Sequence, residues 1–303
     1  MKFLFITHSN RYIQLAQRLH NEGNLVDIVG GHILGLDTVT MSQGISKSPD
    51  ITIVAFGIPI NGPRVFGNNA IGSKLMGEFG RNLAAAYGIR VPKDLQLNAY
   101  KYKLNTEIWF CNGNPIYQYM GGIPQDKFLT GDLGPTTDGE SYIMWPYKDR
   151  NASAIRRTFT DQILNILKKN EYSGPLTIKT VISEQDNFPY FVGFLPHIHI
   201  GTFAMLELME GELGKLISDI VFNQNPRIDL RDEVACTITV STAPYPYNGT
   251  VPYGYYTGSN KDWRVARRRA KDRIDELEAN EWQYRLDGGA QAQALDNNDE
   301  YRR

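Results

Sequence analysis

Cysteine is scarce: Cys111 and Cys236 are the two that 303 residues contain, and neither stands in a CxxC pair. A disulfide framework is excluded, and a reducing, cytoplasmic setting is expected. Net charge is equally small, with 32 basic against 33 acidic residues giving −1. That argues against a nucleic-acid binder working through a bulk positive field. No apolar run approaches the roughly 18 residues of a membrane span. The opening MKFLFITHSNR also lacks the apolar stretch and small-residue cleavage site of a secretory signal. After the first apolar run, Thr7-His8-Ser9-Asn10-Arg11 carries no glycines, so a dinucleotide-binding fingerprint is missing too.

What is present suffices for a folded protein. Apolar residues make up 42% of the chain, enough for a sizeable core. At about 150 residues per domain the length fits two domains or one large α/β unit. Residues 2–6, 25–29 and 51–55 are apolar almost throughout and are separated by helical or loop segments, which predicts a small parallel βαβ sheet. Pro59, Gly62 and Pro63 end that pattern.

Helical spacing of Leu75, Met76, Phe79 and Leu83 predicts a helix over residues 69–87, weakened by Gly72, Gly77 and Gly80. Strands are expected at 107–110 and 116–120 around the Asn112-Gly113 turn. Residues 121–139 read as loop. Ile155, Phe159, Ile163, Ile166 and Leu167 mark one face of an amphipathic helix. Residues 176–182 and 190–195 read as a strand pair. A single helix runs through Leu206, Met209, Leu213, Leu216, Ile217 and Ile220, with a strand at 234–240. An aromatic, proline-rich stretch at 244–256 precedes a charged helix through Trp263, Ala270, Ile274 and Leu277, and 291–303 is a polar tail expected to fray.

Three places draw attention for chemistry. Asp126 to Gly139 combines glycines, which permit close backbone approach, with threonines and amides suited to phosphate or carboxylate oxygens; an ordinary surface loop is the competing reading. His197 and His199 fall on one side of an extended segment without an evident third ligand, so structural histidines are favoured over a metal site. Ser9 or Asn10 is placed to cap a helix N-terminus. Arg267-Arg268-Arg269 is followed by Asp272, Asp275, Glu276 and Glu278, the pattern of a salt-bridged solvent face.

Four stretches, in order, resemble phosphoribosylamine–glycine ligase (glycinamide ribonucleotide synthetase), an ATP-grasp family: MKFLFITHSNRYIQLAQRL, GNNAIGSKLMGEFGRNLAAAYGI, DKFLTGDLGPTTDGE and ACTITVSTAPYPYNGTVPYGYYTG. YRLDGG after the charged helix is a weaker fifth. The resemblance spans nearly the whole chain. It implies an α/β, ATP-grasp-like fold: a Rossmann-like N-terminal domain over 1–66, a reduced ATP-grasp core over 67–242, and a C-terminal segment over 243–303. It implies ATP-dependent amide formation through an acyl phosphate, with ATP and Mg²⁺ as cofactors and phosphoribosylamine or a glycine-like molecule as substrate. By motif position, Lys74 corresponds to a phosphate contact, and Asp132, Gly134, Pro135, Thr136 and Thr137 to the substrate loop.

Departures from the family pattern are equally specific. Residues 90–107 fill the interval where the family has its ATP-clamping subdomain, too few for a unit of ordinary size. Gly193 and Leu195 stand where the family has its Glu and Asn metal ligands, and neither offers Mg²⁺ an oxygen. His8, Ser9 and Asn10 replace the glycines of the N-terminal turn. The expectation is therefore a ligase-like protein with a degenerate ATP/Mg²⁺ site. The alternatives are a non-catalytic phosphoribosyl- or amino-acid-binding protein and a scaffold reusing the fold. A protein partner supplying the clamp belongs to the same expectation; a nucleic-acid or membrane partner does not.

Overall fold

The computed structural model describes residues 1–7, 9–30, 37–55, 64–67, 70–92, 102–112, 115–116, 120–146, 154–183, 186, 188–222, 224, 228–247, 250, 252–277 and 281–296. Its first sheet is parallel and five-stranded: β1 (Lys2–Ile6), β2 (Leu25–Val29), β3 (Asp37–Thr38), β4 (Ile51–Val54) and β5 (Val65–Gly67), in spatial order β3-β2-β1-β4-β5. Helix α1 (Ile13–Asn21) follows β1, and α2 (Met41–Ser46) precedes β4. The expected parallel sheet is present. Its central strand β1 buries Phe3, Leu4, Phe5 and Ile6 in succession, as a strand covered on both faces does.

The helix expected over 69–87 is two helices, α3 (Ala70–Leu75) and α4 (Gly77–Ala86). Met76 between them is extended at ψ 155°, and Gly77 has φ +68°, outside the helical region. Gly80 packs its α-carbon so tightly that a Cβ there would stand 1.9 Å from the Leu75 carbonyl oxygen. The glycines that dilute the helical pattern thus mark a corner.

A second, antiparallel sheet of eight strands forms the body. Its strands are β6 (Tyr102–Asn112), β7 (Pro115–Ile116), β8 (Met120–Leu129), β9 (Leu133–Pro146), β10 (Ser173–Ser183), β11 (Pro189–Leu195), and, beyond a short hairpin of β12 (Met209–Glu210) and β13 (Asp229–Leu230), β14 (Val234–Val240) and β15 (Gly254–Asn260). The order is β11-β10-β6-β8-β9-β14-β15, with β7 paired to β6. The pair expected at 176–182 with 190–195 occurs as β10–β11; that at 107–110 with 116–120 is seen where Phe110 of β6 meets Ile116 of β7, while Gly113 and residues 117–119 lie outside the described residues and Met120 opens β8.

Three expectations are corrected here. Residues 121–139 are mainly the strands β8 and β9, because Ile123, Lys127 and Leu129 pair with Ile143, Thr136 and Leu133 and continue the ladder across the glycines. The single helix through Leu206–Ile220 is α6 (Ile200–Leu208) and α7 (Leu213–Val221), separated where Gly211 turns at φ +101°. The aromatic stretch ends in β15, which pairs along its length with β14.

Alternation along the strands sorts the core into layers. Ile108, Phe110, Tyr142 and Met144 face α6, α7 and the first sheet. Trp109, Cys111, Leu176 and Ile178 face α5 (Ala154–Lys169) and α4. Ile143, Trp145, Cys236 and Ile238 face α8 (Trp263–Asp275) and the 3₁₀ turn Ala290–Ala292, where Ala292 is buried; α9 (Gln293–Asp296) follows, Asp296 accepting from Trp263, so this part of the expected tail is ordered, and residues 297–303 lie outside the described residues. Both cysteines are buried free thiols. The α8 arginines chiefly bond backbone carbonyls, Arg267 holding Gly288 and Leu286 and Arg269 holding Ser259; Arg273 also meets Glu207. Among the described residues no helix is long and apolar enough to cross a membrane.

The α8–β15 contact depends on Gly258, where a Cβ would stand 2.5 Å from the Ala266 carbonyl oxygen and 2.6 Å from the Ala270 nitrogen. Gly258→Ala is expected to lower stability by about 1–3 kcal/mol through overpacking. The check is a lower urea midpoint at unchanged slope; an unaltered midpoint would show that α8 yields without cost.

Candidate functional site

Directly paired residues of an antiparallel ladder share a face. Lys179 stands opposite Thr106 and Gly193, Tyr142 opposite Pro124 and Thr237, and Tyr255 opposite Thr239. This row looks toward the first sheet and carries the polar side chains of a cleft. On β8, a register shift between Gln125 and Lys127 re-aims the strand, and Asp126 reaches Lys179 with an Oδ2–Nζ distance of 3.0 Å.

The opposite wall comes from the N-terminal turn. Ser9 accepts a hydrogen bond from the Arg11 amide at 3.3 Å and starts a 3₁₀ turn, as expected of a capping serine. Arg11 is buried by it, lies 4.7 Å over the Tyr12 ring and is 3.9 Å from Asp138. The Tyr12 hydroxyl donates to the Ile198 carbonyl at 3.1 Å, tying the first sheet to the turn between β11 and α6.

That turn holds His197 and His199, whose rings are 6.4 Å apart. His199 caps α6, its Nδ1 accepting from the Gly201 amide at 3.3 Å. An accepting Nδ1 in a neutral ring assigns the proton to Nε2. Burial pushes the His197 pKa down to about 4, with Asp138 opposing and Arg11 and Lys179 reinforcing the shift. Burial holds His199 well below the ordinary range, reinforced by Lys179 and His197. Both rings are neutral at pH 7, as structural histidines are, but His199 Nε2 is buried without a hydrogen-bond partner, and so is Asp126 Oδ1. Each lies 3.8 Å from the point where a Cβ on Gly139 would stand.

Glu140 completes the cleft from β9. It is 1% exposed, its Oε1 accepts from the Tyr245 hydroxyl at 2.7 Å, and burial pushes its pKa up to about 7. Tyr245 lies edge-on to Phe128.

The residues suggested by motif position are not gathered in this cleft. Asp132, at φ +56°, is the tip of the β8–β9 hairpin, with Gly134 and Thr136 exposed beside it and Pro135 partly so. Asp132 is held by Arg285, a side chain with no exposed surface that forks onto Asp287 and also donates to the Lys127 carbonyl. Thr137 alone reaches inward, donating to the Asp126 carbonyl and accepting from the Gly139 amide, both at 3.2 Å. Lys74 is exposed on α3. Lys179, Glu140, Tyr245 and Arg285 were missed because isolated residues on separate elements form no motif; a buried-strand Lys and Glu were the available signal.

No protein-family model matches the sequence, and no curated protein sequence matches it. Solved structures do. Phosphoribosylamine–glycine ligase from Thermotoga maritima superposes with a TM-score of 0.74 at 12% identity, covering 95% of this chain and 100% of that one. The phosphoribosylaminoimidazole carboxylase ATPase subunit from Aquifex aeolicus gives 0.62 at 10%, covering 92% and 100%. The fold is ATP-grasp. Pyruvate carboxylase from Rhizobium etli shares it at a TM-score of 0.63 and 12% identity, this chain spanning 40% of that longer one.

An ATP-grasp fold implies ATP and Mg²⁺, and the residues present do not fit the metal. A Cβ at Gly193 would meet nothing within 4 Å, its cross-strand neighbour is a lysine, Lys179, and Val192 beside it falls at a break in register. Glu207, a candidate replacement carboxylate, pairs with Arg273 beside β15, at the edge of the sheet opposite β11. Glu184 lies outside the described residues, as do 93–101 of the interval 90–107. Among the described residues, no three His, Cys, Asp or Glu side chains are grouped to hold a metal ion.

Arg285→Ala is expected to cost roughly 3–5 kcal/mol in chemical denaturation, as loss of a buried ion-pair partner does. Asp132→Asn, exposed and compatible with the same backbone, is expected to cost less than about 1 kcal/mol. Gly193→Glu is expected to shift stability by no more than about 1 kcal/mol and to bring no Mg²⁺-dependent thermal shift, because the new carboxylate meets Lys179; a Mg²⁺-dependent rise in Tm would restore the metal to this position.

Proposed function

We propose that this chain is a phosphoribosylamine–glycine-ligase-like protein with a degenerate ATP/Mg²⁺ site, holding a small amino-acid- or phosphoribosyl-like ligand in the cleft. The supporting observation is the cleft itself: Arg11, Asp126, Lys179, His197, His199 and Glu140, drawn from both sheets and buried or partly buried together. Surfaces with no ligand to hold seldom bury so many polar groups. Arg11 and Lys179 supply positive charge for a carboxylate or phosphate group. His199 offers an uncharged N–H, and the Asp126 carboxylate offers an oxygen to an amino group. Orientation of one ligand between these groups is the chemistry the residues supply. No step is drawn through Mg²⁺, since Gly193 and Leu195 cannot ligate it.

A second reading, binding without catalysis, rests on the same cleft and on the mismatch at Gly193. One pair of measurements tests the cleft and the degeneracy of the ATP/Mg²⁺ site. Glycine or ribose 5-phosphate near a hundred times Kd is expected to add about 2.7 kcal/mol, a rise in Tm of roughly 5 °C. Incubation with ATP, Mg²⁺, glycine and phosphoribosylamine is expected to release no ADP above background. ADP release requiring both substrates would establish autonomous ligation. Absence of any thermal shift with either compound would overturn the assignment of the cleft.

A further inference from the structure

A cavity of about 200 Å³ lies where α1, α6 and α8 meet β15. Three consecutive residues of β15, Tyr255 to Thr257, line it. Side chains of a strand alternate between its faces, and here Tyr255 packs in the layer of α6 while Tyr256 packs in that of α8. What the three residues share is the outer edge of the strand, and β15 is the last strand of the sheet. It stands at the opposite edge from β11, so the cavity is distinct from the positions of Gly193 and Leu195, and none of the charged residues of the cleft lines it.

The backbone of that edge can be accounted for group by group. In an antiparallel strand, residues whose N–H and C=O face the partner alternate with residues whose groups face away. The Thr257 and Ser259 carbonyls accept from Arg273 and Arg269 of α8, so this phase of β15 faces away from β14. The Thr237 and Thr257 hydroxyls, 2.9 Å apart across the ladder, fit the closer side-chain approach of such a pair. Tyr255 is in the same phase, and its N–H and C=O therefore open on the cavity. Among the described residues no hydrogen bond from outside the sheet reaches either group, although Tyr255 is 2% exposed. A buried backbone donor and acceptor are ordinarily paired.

The surroundings define what suits them. Arg18 and Arg273 both line the cavity, but Glu22 lies 3.1 Å from the first and Glu207 3.2 Å from the second, so neither is an unmatched charge for an anion. Leu15, Phe203 and Leu206 offer an apolar surface to a ring. An added β-strand would need the Thr257 and Ser259 carbonyls, which are taken. The volume is below the roughly 300–1,000 Å³ of sites for drug-sized ligands, which limits the occupant to one small ring system.

We propose that this cavity is a second ligand site, specific for a neutral, planar cyclic amide or amidine, of which a free pyrimidine base is the simplest case. The ring lies along Phe203 and Leu206, and its adjacent acceptor and donor pair with the Tyr255 N–H and C=O. The site is independent of the ligand held in the cleft.

Hydrogen exchange of the Tyr255 amide reads this directly. Tyr256 and Gly258, which pair with Ile238 and Cys236, serve as internal controls. In the free protein the Tyr255 amide is expected to exchange about tenfold faster than theirs, or more. Uracil at ten times its Kd is expected to slow Tyr255 exchange about tenfold and to leave the two controls unchanged. The same amount of 1,3-dimethyluracil, which keeps the ring and lacks both N–H donors, is expected to slow it less than about twofold. Gln14 is exposed on α1 at the cavity wall, and Gln14→Trp fills the space from a position outside the core. This variant is expected to keep the wild-type Tm and to lose the protection by uracil. Tyr255 exchange as slow as that of the controls in the free protein overturns the edge assignment. Absence of protection by either uracil or cytosine up to their solubility limits overturns the site. Equal protection by 1,3-dimethyluracil overturns the amide specificity, and undiminished protection in Gln14→Trp places the ligand elsewhere. The comparison of uracil with its dimethyl analogue uses the wild-type chain, so it decides the matter even if Gln14→Trp does not fold.

Discussion

The buried Arg285 fork is the interaction on which the rest of the cleft depends. A guanidinium with no exposed surface grips Asp287 with two nitrogens and Asp132 and the Lys127 carbonyl with a third. Asp287 in turn accepts the Gly131 amide, and the Gly289 amide bonds Gln125 and Ser141 farther down the hairpin. Residues 285–289 thus fix β8 against β9 from tip to base, and those strands carry Asp126, Thr137, Gly139 and Glu140. Planar, bidentate recognition makes arginine suited to this task where lysine is not.

The wall facing the hairpin is fixed by different means. A serine cap bends the chain after β1, and one tyrosine hydroxyl spans to the β11–α6 turn. The cleft between the two walls is electrically nearly balanced. Lys179 and Asp126 compensate each other, the histidines are neutral, and Glu140 sits near the point of losing its proton. Small changes in ligand charge therefore matter more here than they would in a strongly charged pocket.

Much of the fold was legible in the sequence where period and burial agree. The all-apolar strands of the first sheet and the Ile155–Leu167 stripe are such cases. Legibility failed at glycines. Gly77 was read as diluting a single helix and Gly211 fell inside another, yet their positive φ values turn the chain, which sequence spacing does not encode. It failed again over 121–139, where turn-forming composition hid a long hairpin whose strands are held from outside by residues near the C-terminus. The candidate site was less legible still. Motif position pointed to Asp132, Gly134, Pro135, Thr136 and Lys74, whereas the buried polar groups converge one face away, with Thr137 shared between the two. Residues such as Lys179 and Tyr245 acquire meaning only through cross-strand register and side-chain reach. The same fold is shared at 10–12% identity, because layer packing tolerates substitutions that site chemistry does not.

The span of the contacts has a temporal side. Tyr12 meets Ile198 across 186 positions, Glu140 meets Tyr245 across 105, and Arg285 meets Lys127 across 158. Contacts so distant in sequence form late, after loop-closure entropy has been overcome. On the ribosome, the first sheet can close from its own local strands, while the long hairpin must wait for residues 285–289 before its tip has anything to hold. During that interval β8 and β9 present apolar and unpaired surface, and the nascent chain is at its most vulnerable to aggregation. A hairpin locked by residues more than 140 positions further along the chain is held only after all the intervening elements exist.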